Sequence, residues 1–219
     1  MASPSQSRSR VSEKPDRDSL SQWLGRPVDV DGRRILAILL IVGGILGLIA
    51  AFALTMDKFQ LLEHPSSSLT CNINSGLQCG KNLESAQGSV FGFPNPLLGL
   101  MMFPAPIIIG VTILNGAKFR RWFWLLFNLG HLFAFSFIAW LAVQSIFVLD
   151  TLCPWCAVVY VAVIPMFLAV TFFSFREMLS SPRGVSAFGH LYTWVPLISL
   201  ALYAVIFITA EVKVHILGF

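Results

Sequence analysis

Long uncharged stretches dominate the chain and determine the elements expected of it. Five of them are 20 to 28 residues long and contain no Asp, Glu, Lys or Arg: 35–56, 97–117, 122–149, 151–175 and 191–210. An α-helix rises about 1.5 Å per residue, so roughly 20 apolar residues cross the ~30 Å hydrocarbon layer of a membrane. Lipid also excludes open sheet edges, because unpaired backbone groups cannot be hydrated there. The pattern predicts an all-α membrane protein with five transmembrane helices.

The overall composition agrees with this interpretation. Hydrophobic residues make up 56% of the 219 residues and charged residues only 12%, whereas soluble domains carry about 25% charged residues. This composition excludes a disordered chain and argues against a nucleic-acid-binding protein or a cytosolic enzyme.

The basic residues predict the orientation in the membrane. Twelve of the fifteen Lys and Arg residues precede the first span or lie between spans two and three or spans four and five. The other three, Lys58, Lys81 and Lys213, lie in the alternate segments. Because cytoplasmic loops hold the excess of Lys and Arg, the N-terminus is expected in the cytoplasm of a cell whose plasma membrane the chain spans. The pI near 9.1 then reflects topology and not an acidic partner.

The segments outside the spans complete the expected organisation. Residues 1–34, rich in Ser, Arg, Asp and Pro, are predicted to form a disordered cytoplasmic tail. Residues 35–212 form the transmembrane domain, with a large extracytoplasmic loop at 57–96, and 213–219 form an extracytoplasmic tail. Forty residues are too few for an independent core, so the loop is expected to fold against the helix ends.

A few residues inside the spans predict how the helices pack. Gly43 and Gly47 have the GxxxG spacing that is typical of close helix contact. Asn128 and His131 share a face of the third span and are expected to form interhelical hydrogen bonds. Four prolines are expected to kink or locally break their helices: Pro104, Pro106, Pro165 and Pro196.

The four cysteines all fall on the predicted extracytoplasmic side, where disulfides form and persist. Cys153 and Cys156 form a CxxC motif whose first thiol lies at a predicted helix N-terminus, where the helix dipole favours a thiolate. Pro154 suits the first helical turn. Such a small ring would restrain little of the chain, which favours a redox role over a structural disulfide. A zinc site needs four ligands, and His64 is the one histidine in the large loop, so no metal is predicted.

Cys71 and Cys79 lie eight residues apart in the large loop. Alone, this spacing is typical of a structural disulfide that pins a loop. Beside a CxxC motif it indicates a relay, because thiol–disulfide exchange requires only that a thiolate reach a disulfide sulfur. The loop pair could meet a soluble partner, and Cys153 and Cys156 a lipid-soluble electron acceptor. The chain has no metal or flavin motif, which favours a quinone. The sequence leaves open whether Cys71 or Cys79 meets Cys153.

An ordered set of residues resembles the vitamin K epoxide reductase family, specifically its bacterial members. The resemblance covers roughly residues 30–212 and is carried by Cys71, Cys79, Ser85, the Phe-Gly-Phe-Pro-Asn-Pro run at 91–96, and Cys-Pro-Trp-Cys at 153–156 followed by Tyr160. It implies a four-helix bundle around a quinone, with the extra helix found in many bacterial members. It also implies that Cys153 and Cys156 are the active-site pair, with Cys156 next to the quinone, and that Cys71 and Cys79 carry electrons inward.

The resemblance implies further residues near the quinone. Ser85 matches a family Ser/Thr beside the active site, and Tyr160 matches a position that lines the quinone pocket. Phe91 and Trp155 are the other candidate quinone-binding residues. The alternatives are a helix cap for Ser85 and aromatic packing at the membrane interface for the three rings.

The sequence departs from the family pattern in two places. Gly88 stands where vertebrate enzymes have an Asn, which leaves open whether vitamin K epoxide is a substrate. Many bacterial members carry a fused thioredoxin-like domain after the last helix, and here only residues 211–219 follow the fifth span, so a separate redox partner is expected.

The sequence therefore predicts a membrane thiol–quinone oxidoreductase that forms disulfides in exported proteins. It would reoxidise a DsbA-like thioredoxin-fold partner through Cys71/Cys79 and Cys153/Cys156, and pass electrons to a quinone of the menaquinone or ubiquinone type. The expected partners are the thioredoxin-fold protein, the quinone and membrane lipid, and no nucleic acid is expected to bind.

The alternatives are a DsbB-type enzyme, in which the two cysteine pairs occur in the reverse order, and a non-catalytic scaffold with structural disulfides. A metal transporter would need acidic residues or histidines in several spans, and His131 is the one available.

Overall fold

The computed structural model describes residues 27–28, 34–65, 68–178 and 193–214. Within these residues, five helical segments are long and apolar enough to cross a membrane, which confirms the predicted all-α membrane protein with five spanning helices. In chain order the elements are β1 (Pro27–Val28), α1 (Arg34–Glu63), α2 (Gly80–Glu84), a 3₁₀ turn (Ala86–Ser89), α3 (Pro96–Met102), α4 (Pro104–Leu114), β2 (Phe119–Arg120), α5 (Arg121–Phe147), α6 (Pro154–Met178) and α7 (Val195–Val214).

The first helix is longer than its uncharged run. It continues from Met56 through Asp57 and Lys58 to Glu63, about two further turns. Charged residues can occupy a helix that has left the hydrocarbon layer, so the end of the uncharged run does not end the helix. It stops shortly before Pro65, because the residue that precedes a proline is disfavoured in the helical conformation.

The first and fourth spans, α1 and α6, are the most buried helices of the bundle. The first helix packs along α4 and α6, α5 packs on α6, and α7 lies against α5 and α6. Gly43 and Gly47 make the close approach that their spacing predicts. A Cβ at Gly43 would collide with Met166, and one at Gly47 with the Phe103 ring.

The second span is built from α3 and α4, which meet at Phe103. The break comes directly before Pro104, which has no backbone N–H to donate, and it confirms the interruption expected there. Pro165 lies within α6, and Pro196 lies in the first turn of α7. In the described residues the second and third spans make no extended contact with each other.

A hydrogen bond joins the third and fourth spans. Thr171 Oγ1 donates to Asn128 Oδ1 at 2.8 Å, which confirms the interhelical bond expected of Asn128. His131 differs from the expectation, because its Nδ1 lies 3.0 Å from the Phe127 carbonyl of its own helix.

Two residues of the segment 1–34 pair with the connection between the second and third spans. β1 and β2 are antiparallel, with Pro27 opposite Arg120 and Val28 opposite Phe119. The rest of that segment lies outside the described residues, apart from Arg34, so the predicted disorder there stays a prediction. At the other terminus, α7 includes Lys213 and Val214, and the remaining residues of 213–219 are outside the described part.

The large loop folds onto one end of the bundle, as its length predicts. Leu69, Cys79 and Leu83 are buried, and Leu77 forms a parallel bridge with Leu152, which lies just before α6. This end carries all four cysteines and is called the cysteine end below.

Candidate active site

The four cysteines lie together at the cysteine end. Cys71 and Cys79 form a disulfide, and Cys153 and Cys156 are free thiols. Cys79 Sγ lies 3.4 Å from Cys153 Sγ. The backbone N–H of Cys156 donates to Cys153 Sγ at 3.4 Å. The fold thus brings together the four cysteines that the sequence singled out, with an oxidised loop pair beside a reduced CxxC pair.

A short parallel pairing aligns the two cysteine segments. The Leu152 N–H donates to the Gly76 carbonyl at 2.8 Å, and the Gln78 N–H donates to the Leu152 carbonyl at 3.1 Å. Cys79 and Cys153 each follow the paired residues directly. The two sulfurs therefore meet because backbone hydrogen bonds set the register of their segments.

Buried hydroxyl groups strengthen this pairing. Thr151 Oγ1 donates to the same Gly76 carbonyl at 3.1 Å, and Ser145 Oγ donates to the Thr151 carbonyl at 2.6 Å. Thr151 is completely buried. These bonds connect the end of α5, the CxxC segment and the loop in one network.

Two asparagines shape the loop around Cys79. Asn74 Oδ1 accepts from the backbone N–H groups of Gly76 and Leu77, which closes a tight turn. Asn72 Oδ1 accepts from the N–H groups of Cys79 and Gly80 at 3.0 and 3.2 Å. Asn72 thus satisfies donors at the start of α2 and holds Cys79 in place.

Cys153 occupies the position just before the first turn of α6. Free backbone N–H groups at a helix N-terminus stabilise negative charge. The pKa of the Cys153 thiol is lowered, first by its hydrogen bond with the Cys156 side chain and then by backbone N–H groups, while burial and the charge of Asp57 act against this. Because the thiolate is the nucleophile, this environment favours exchange at Cys153.

An apolar shell surrounds the sulfurs. Leu54, Leu61, Leu69 and Leu83 are buried against them, and Trp155 packs on the same cluster. Cys79 and Cys153 are 0% exposed, whereas Cys71 is 6% exposed. Both residues are buried, and Cys71 is the more exposed residue of the disulfide.

The Asp57 carboxylate lies beside the loop disulfide. Asp57 Oδ2 lies 3.3 Å from Cys71 Sγ, and ligand atoms of Asp57, Cys71 and Cys79 lie within 4.8 Å of one another. In the disulfide, neither Cys71 nor Cys79 has a thiolate that could bind a metal ion. In this state the cluster offers a metal only the carboxylate.

A cavity of about 380 Å³ lies between the second and third spans, walled by α1 and α6. Its volume is in the range of small-molecule sites, about 300–1,000 Å³. Cys156 and Tyr160 line it, and most of the remaining wall is apolar. The polar residues near its cysteine end are Asn82, Ser85, Gln87, Asn95 and Gln144.

The four candidate quinone-binding residues occupy different positions. Tyr160 is 4% exposed and lines the cavity. Ser85 also lines it, and its hydroxyl accepts from the Gly88 N–H at 3.1 Å, so it caps the 3₁₀ turn as well. Phe91 and Trp155 are not among the lining residues. Phe91 is 48% exposed and packs on Phe137, which does line the cavity, at a ring separation of 5.7 Å.

Several cavity residues were not singled out from the sequence. Gln87 Nε2 donates to Gln144 Oε1 at 3.5 Å, which ties the loop to α5 across the mouth of the cavity. Asn95 Nδ2 donates to the Gln87 carbonyl at 2.6 Å. The sequence pattern could have identified Gln144, because a polar side chain inside an apolar span calls for a functional hypothesis. Asn95 lies in the 91–96 run that carries the family resemblance, whereas Gln87 has no such pattern.

The glycine at position 88 has a steric explanation. A Cβ at this position would collide with the Asn82 carbonyl oxygen, so an Asn at position 88 could not fit this backbone. Asn82 itself lines the cavity. The departure at position 88 thus follows from the close approach of two loop segments.

Comparison with known proteins agrees with this geometry. The family model of the vitamin K epoxide reductase family matches residues 38–171, which include all four cysteines and the helices that wall the cavity. No curated protein sequence matches the chain. The family match spans more than half of the chain. The chain therefore belongs to the vitamin K epoxide reductase family, and that membership indicates a membrane thiol–disulfide oxidoreductase.

Proposed function

We propose that the chain is a membrane thiol–quinone oxidoreductase that reoxidises a DsbA-like thioredoxin-fold protein and so drives disulfide formation in exported proteins. The observation that carries the proposal is the sulfur geometry. Cys79 Sγ lies 3.4 Å from Cys153 Sγ, and Cys156, the second cysteine of the CxxC pair, lines an apolar cavity. A structural disulfide would need neither the neighbouring thiol nor the cavity.

Electrons enter at the loop pair. A thiolate of the reduced partner attacks Cys71, the more exposed residue of the pair, and displaces the Cys79 thiolate. The second thiol of the partner then attacks the mixed disulfide, so the partner leaves oxidised and Cys71 leaves reduced. Two electrons now reside on Cys71 and Cys79.

Electrons then move to the CxxC pair. In the oxidised state of that pair, the Cys79 thiolate attacks Cys153 and displaces Cys156 as a thiolate at the cavity wall. Cys71 next attacks Cys79, which restores the loop disulfide and releases Cys153 reduced. The arrangement with a Cys71–Cys79 disulfide and free Cys153 and Cys156 thiols corresponds to the product of this exchange.

The cavity residues fit a quinone. The wall is mostly apolar, as an isoprenoid quinone requires, and amide and hydroxyl groups lie near the cysteine end, where ring oxygens need hydrogen bonds. A bound menaquinone- or ubiquinone-type molecule would supply a two-electron acceptor. Tyr160 and Ser85 would orient its ring, Cys156 would face it, and the gap between the second and third spans would admit it from lipid.

The orientation follows from the basic residues. The cysteine end faces the extracytoplasmic side, where exported proteins acquire disulfides, and the N-terminus lies in the cytoplasm. Labelling of Cys71 in intact cells with a membrane-impermeant maleimide, after mild reduction, checks this arrangement. Labelling that requires cell lysis would contradict it.

Quinone reduction by the purified full chain tests the function. With dithiothreitol as reductant and ubiquinone-1 or menadione as acceptor, wild type should reduce the quinone faster than the protein-free mixture, and Cys156→Ala should abolish the gain. Trp140→Phe, on the exposed side of α5, is the matched control and should retain the rate. An unchanged rate in Cys156→Ala would contradict the mechanism, and inactivity of wild type would favour a non-catalytic scaffold.

A further inference from the structure

Asp57 is a carboxylate placed beside a redox-active sulfur. It lies on the part of α1 that continues past the uncharged run, and its Oδ2 is 3.3 Å from Cys71 Sγ. The neighbouring Lys58 does not turn back to it, because its Nζ donates to the Leu83 carbonyl at 2.7 Å. Across from its own helix, Asp57 thus meets the sulfur of Cys71.

Cys71 needs a proton donor and a proton acceptor in each turnover of the proposed function. It leaves as a thiolate when the partner is released, and it must later attack Cys79 as a thiolate. An ordinary cysteine thiol has a pKa of about 8.5, so near pH 7 a base that takes its proton speeds such an attack. Cys71 lies outside the helix N-terminus that favours the thiolate of Cys153.

A negative charge on Asp57 acts on the neighbouring sulfurs. Cys79 lies within the same 4.8 Å cluster, and the charge of Asp57 also opposes a thiolate on Cys153. On α1 itself, Lys58 and Glu63 are the other ionisable groups near Asp57. Protonation of Asp57 removes this negative charge. The thiolate that forms on Cys71, Cys79 or Cys153 then has no carboxylate charge beside it.

We propose that Asp57 is the general acid and base for Cys71, an inference that rests on the proposed function. As the partner leaves, the Asp57 carboxyl gives its proton to the departing Cys71 thiolate. In the return step, the Asp57 carboxylate takes the proton from the Cys71 thiol as Cys71 attacks Cys79 of the Cys79–Cys153 disulfide. The Cys71–Cys79 bond forms, the Cys79–Cys153 bond breaks, and the electron pair leaves on Cys153. Over one turnover Asp57 releases one proton and regains one.

Asp57→Asn in the purified full chain tests this role. The variant retains the size of the side chain but cannot exchange a proton, and Glu63→Gln removes a charge from an exposed position on the same helix as the matched control. Quinone reduction is measured with dithiothreitol and ubiquinone-1 from pH 6 to 9.5. In parallel, the Cys79–Cys153 mixed disulfide is trapped by acid quench and counted by thiol labelling.

A general-base role predicts a specific pH profile. Near pH 7, Asp57→Asn should lose at least tenfold in rate, since general acid–base catalysis contributes about 10²- to 10⁴-fold. The loss should shrink toward the alkaline end of this range, because an ordinary thiol loses its proton there without a base. The variant should also accumulate the Cys79–Cys153 disulfide. Asp57→Glu, which restores a carboxyl, should recover the wild-type profile, and Glu63→Gln should match wild type.

Two results would overturn the proposal while the proposed function stands. One is an Asp57→Asn rate within twofold of an active wild type at every pH, and the other is a loss of equal size at every pH, which indicates a structural role. If Asp57→Asn does not fold, the pH profile of Asp57→Glu decides the question. A carboxyl at this position that does not give the wild-type pH profile refutes the role. Inactive wild type would instead refute the proposed function and this inference with it.

Discussion

Cys79 and Cys153, 74 residues apart in the chain, place their sulfur atoms 3.4 Å from each other. The parallel bridge between Leu77 and Leu152 sets this distance, because each cysteine follows its bridged segment. Cys71, bonded to Cys79, is the more exposed residue of the disulfide. We infer that Cys79 exchanges with Cys153 and that Cys71 meets the soluble partner.

Disulfide trapping tests this order. In a Cys71→Ala/Cys156→Ala variant, Cys79 and Cys153 should form a disulfide on mild oxidation, because their sulfur atoms already lie 3.4 Å apart. In the matched Cys79→Ala/Cys156→Ala variant, Cys71 and Cys153 should form one at least tenfold more slowly. Thiol labelling with a maleimide polymer and non-reducing gels measures both rates. Equal rates would contradict the assignment of Cys79.

The pH dependence of Cys153 follows from its hydrogen bonds. The pKa of this thiol is lowered mainly by the Cys156 side chain, so Cys156→Ala should shift its ionisation to higher pH. A lowered pKa means that the thiolate is present above the depressed value and is lost as the pH falls through it. Thiolate absorbance near 240 nm, titrated with the loop disulfide intact, measures the midpoint. A midpoint that stays or falls in Cys156→Ala would refute this cause.

Thr151 should support both stability and electron transfer. Thr151→Val removes its bond to the Gly76 carbonyl, which still accepts from the Leu152 N–H, so the expected cost is about 1 kcal/mol. The exchange between the two cysteine pairs should also slow, because Gly76 helps to set their register. The control is Thr209→Val, whose bond to the Val205 carbonyl lies within one helix.

Thermal unfolding and stopped-flow measurement of internal exchange check the Thr151 prediction together. Thr151→Val should lower the melting temperature by roughly 2–4 °C and slow exchange, and Thr209→Val should leave exchange unchanged. Slowed exchange in both variants would show that a general loss of stability, and not the register, is responsible.

Filling the cavity should separate quinone binding from disulfide exchange. Ala134 lines the cavity on α5, and Ala139 is exposed on the same helix. Ala134→Trp should raise the KM for ubiquinone-1 at least tenfold by occupying space that the ring needs, and should leave internal exchange intact. Ala139→Trp should change neither. Steady-state kinetics with varied quinone measures the effect, and an unchanged KM in Ala134→Trp would place the quinone elsewhere.

The spans could be predicted from the sequence because membrane helices follow a local rule. About 20 apolar residues are needed wherever a helix crosses the hydrocarbon layer, whatever its neighbours are. The rule applies only within the hydrocarbon layer, so it did not predict that α1 extends beyond Met56 to Glu63. That extension places Asp57 beside Cys71, so the missed residues include one with a proposed catalytic role.

The cavity was less predictable, because the direction of a side chain depends on how helices and loops pack. Tyr160 lines the cavity, as its position one turn after Cys156 indicates. Phe91 and Trp155 lie as close to the motifs in sequence, yet they pack outside the lining. Gln87 and Gln144 meet across a separation of 57 residues, which no local pattern encodes.

By itself, the sequence determined the five membrane spans, the predicted sidedness and the grouping of all four cysteines between particular spans, because hydropathy and charge act residue by residue against lipid and water. Tertiary structure decided which sulfur faces which. The contact of Cys79 with Cys153, the carboxylate beside Cys71 and the cavity at Cys156 each join segments that are distant in the chain. Their positions depend on the register of a backbone pairing and on helix packing, which only the folded chain specifies.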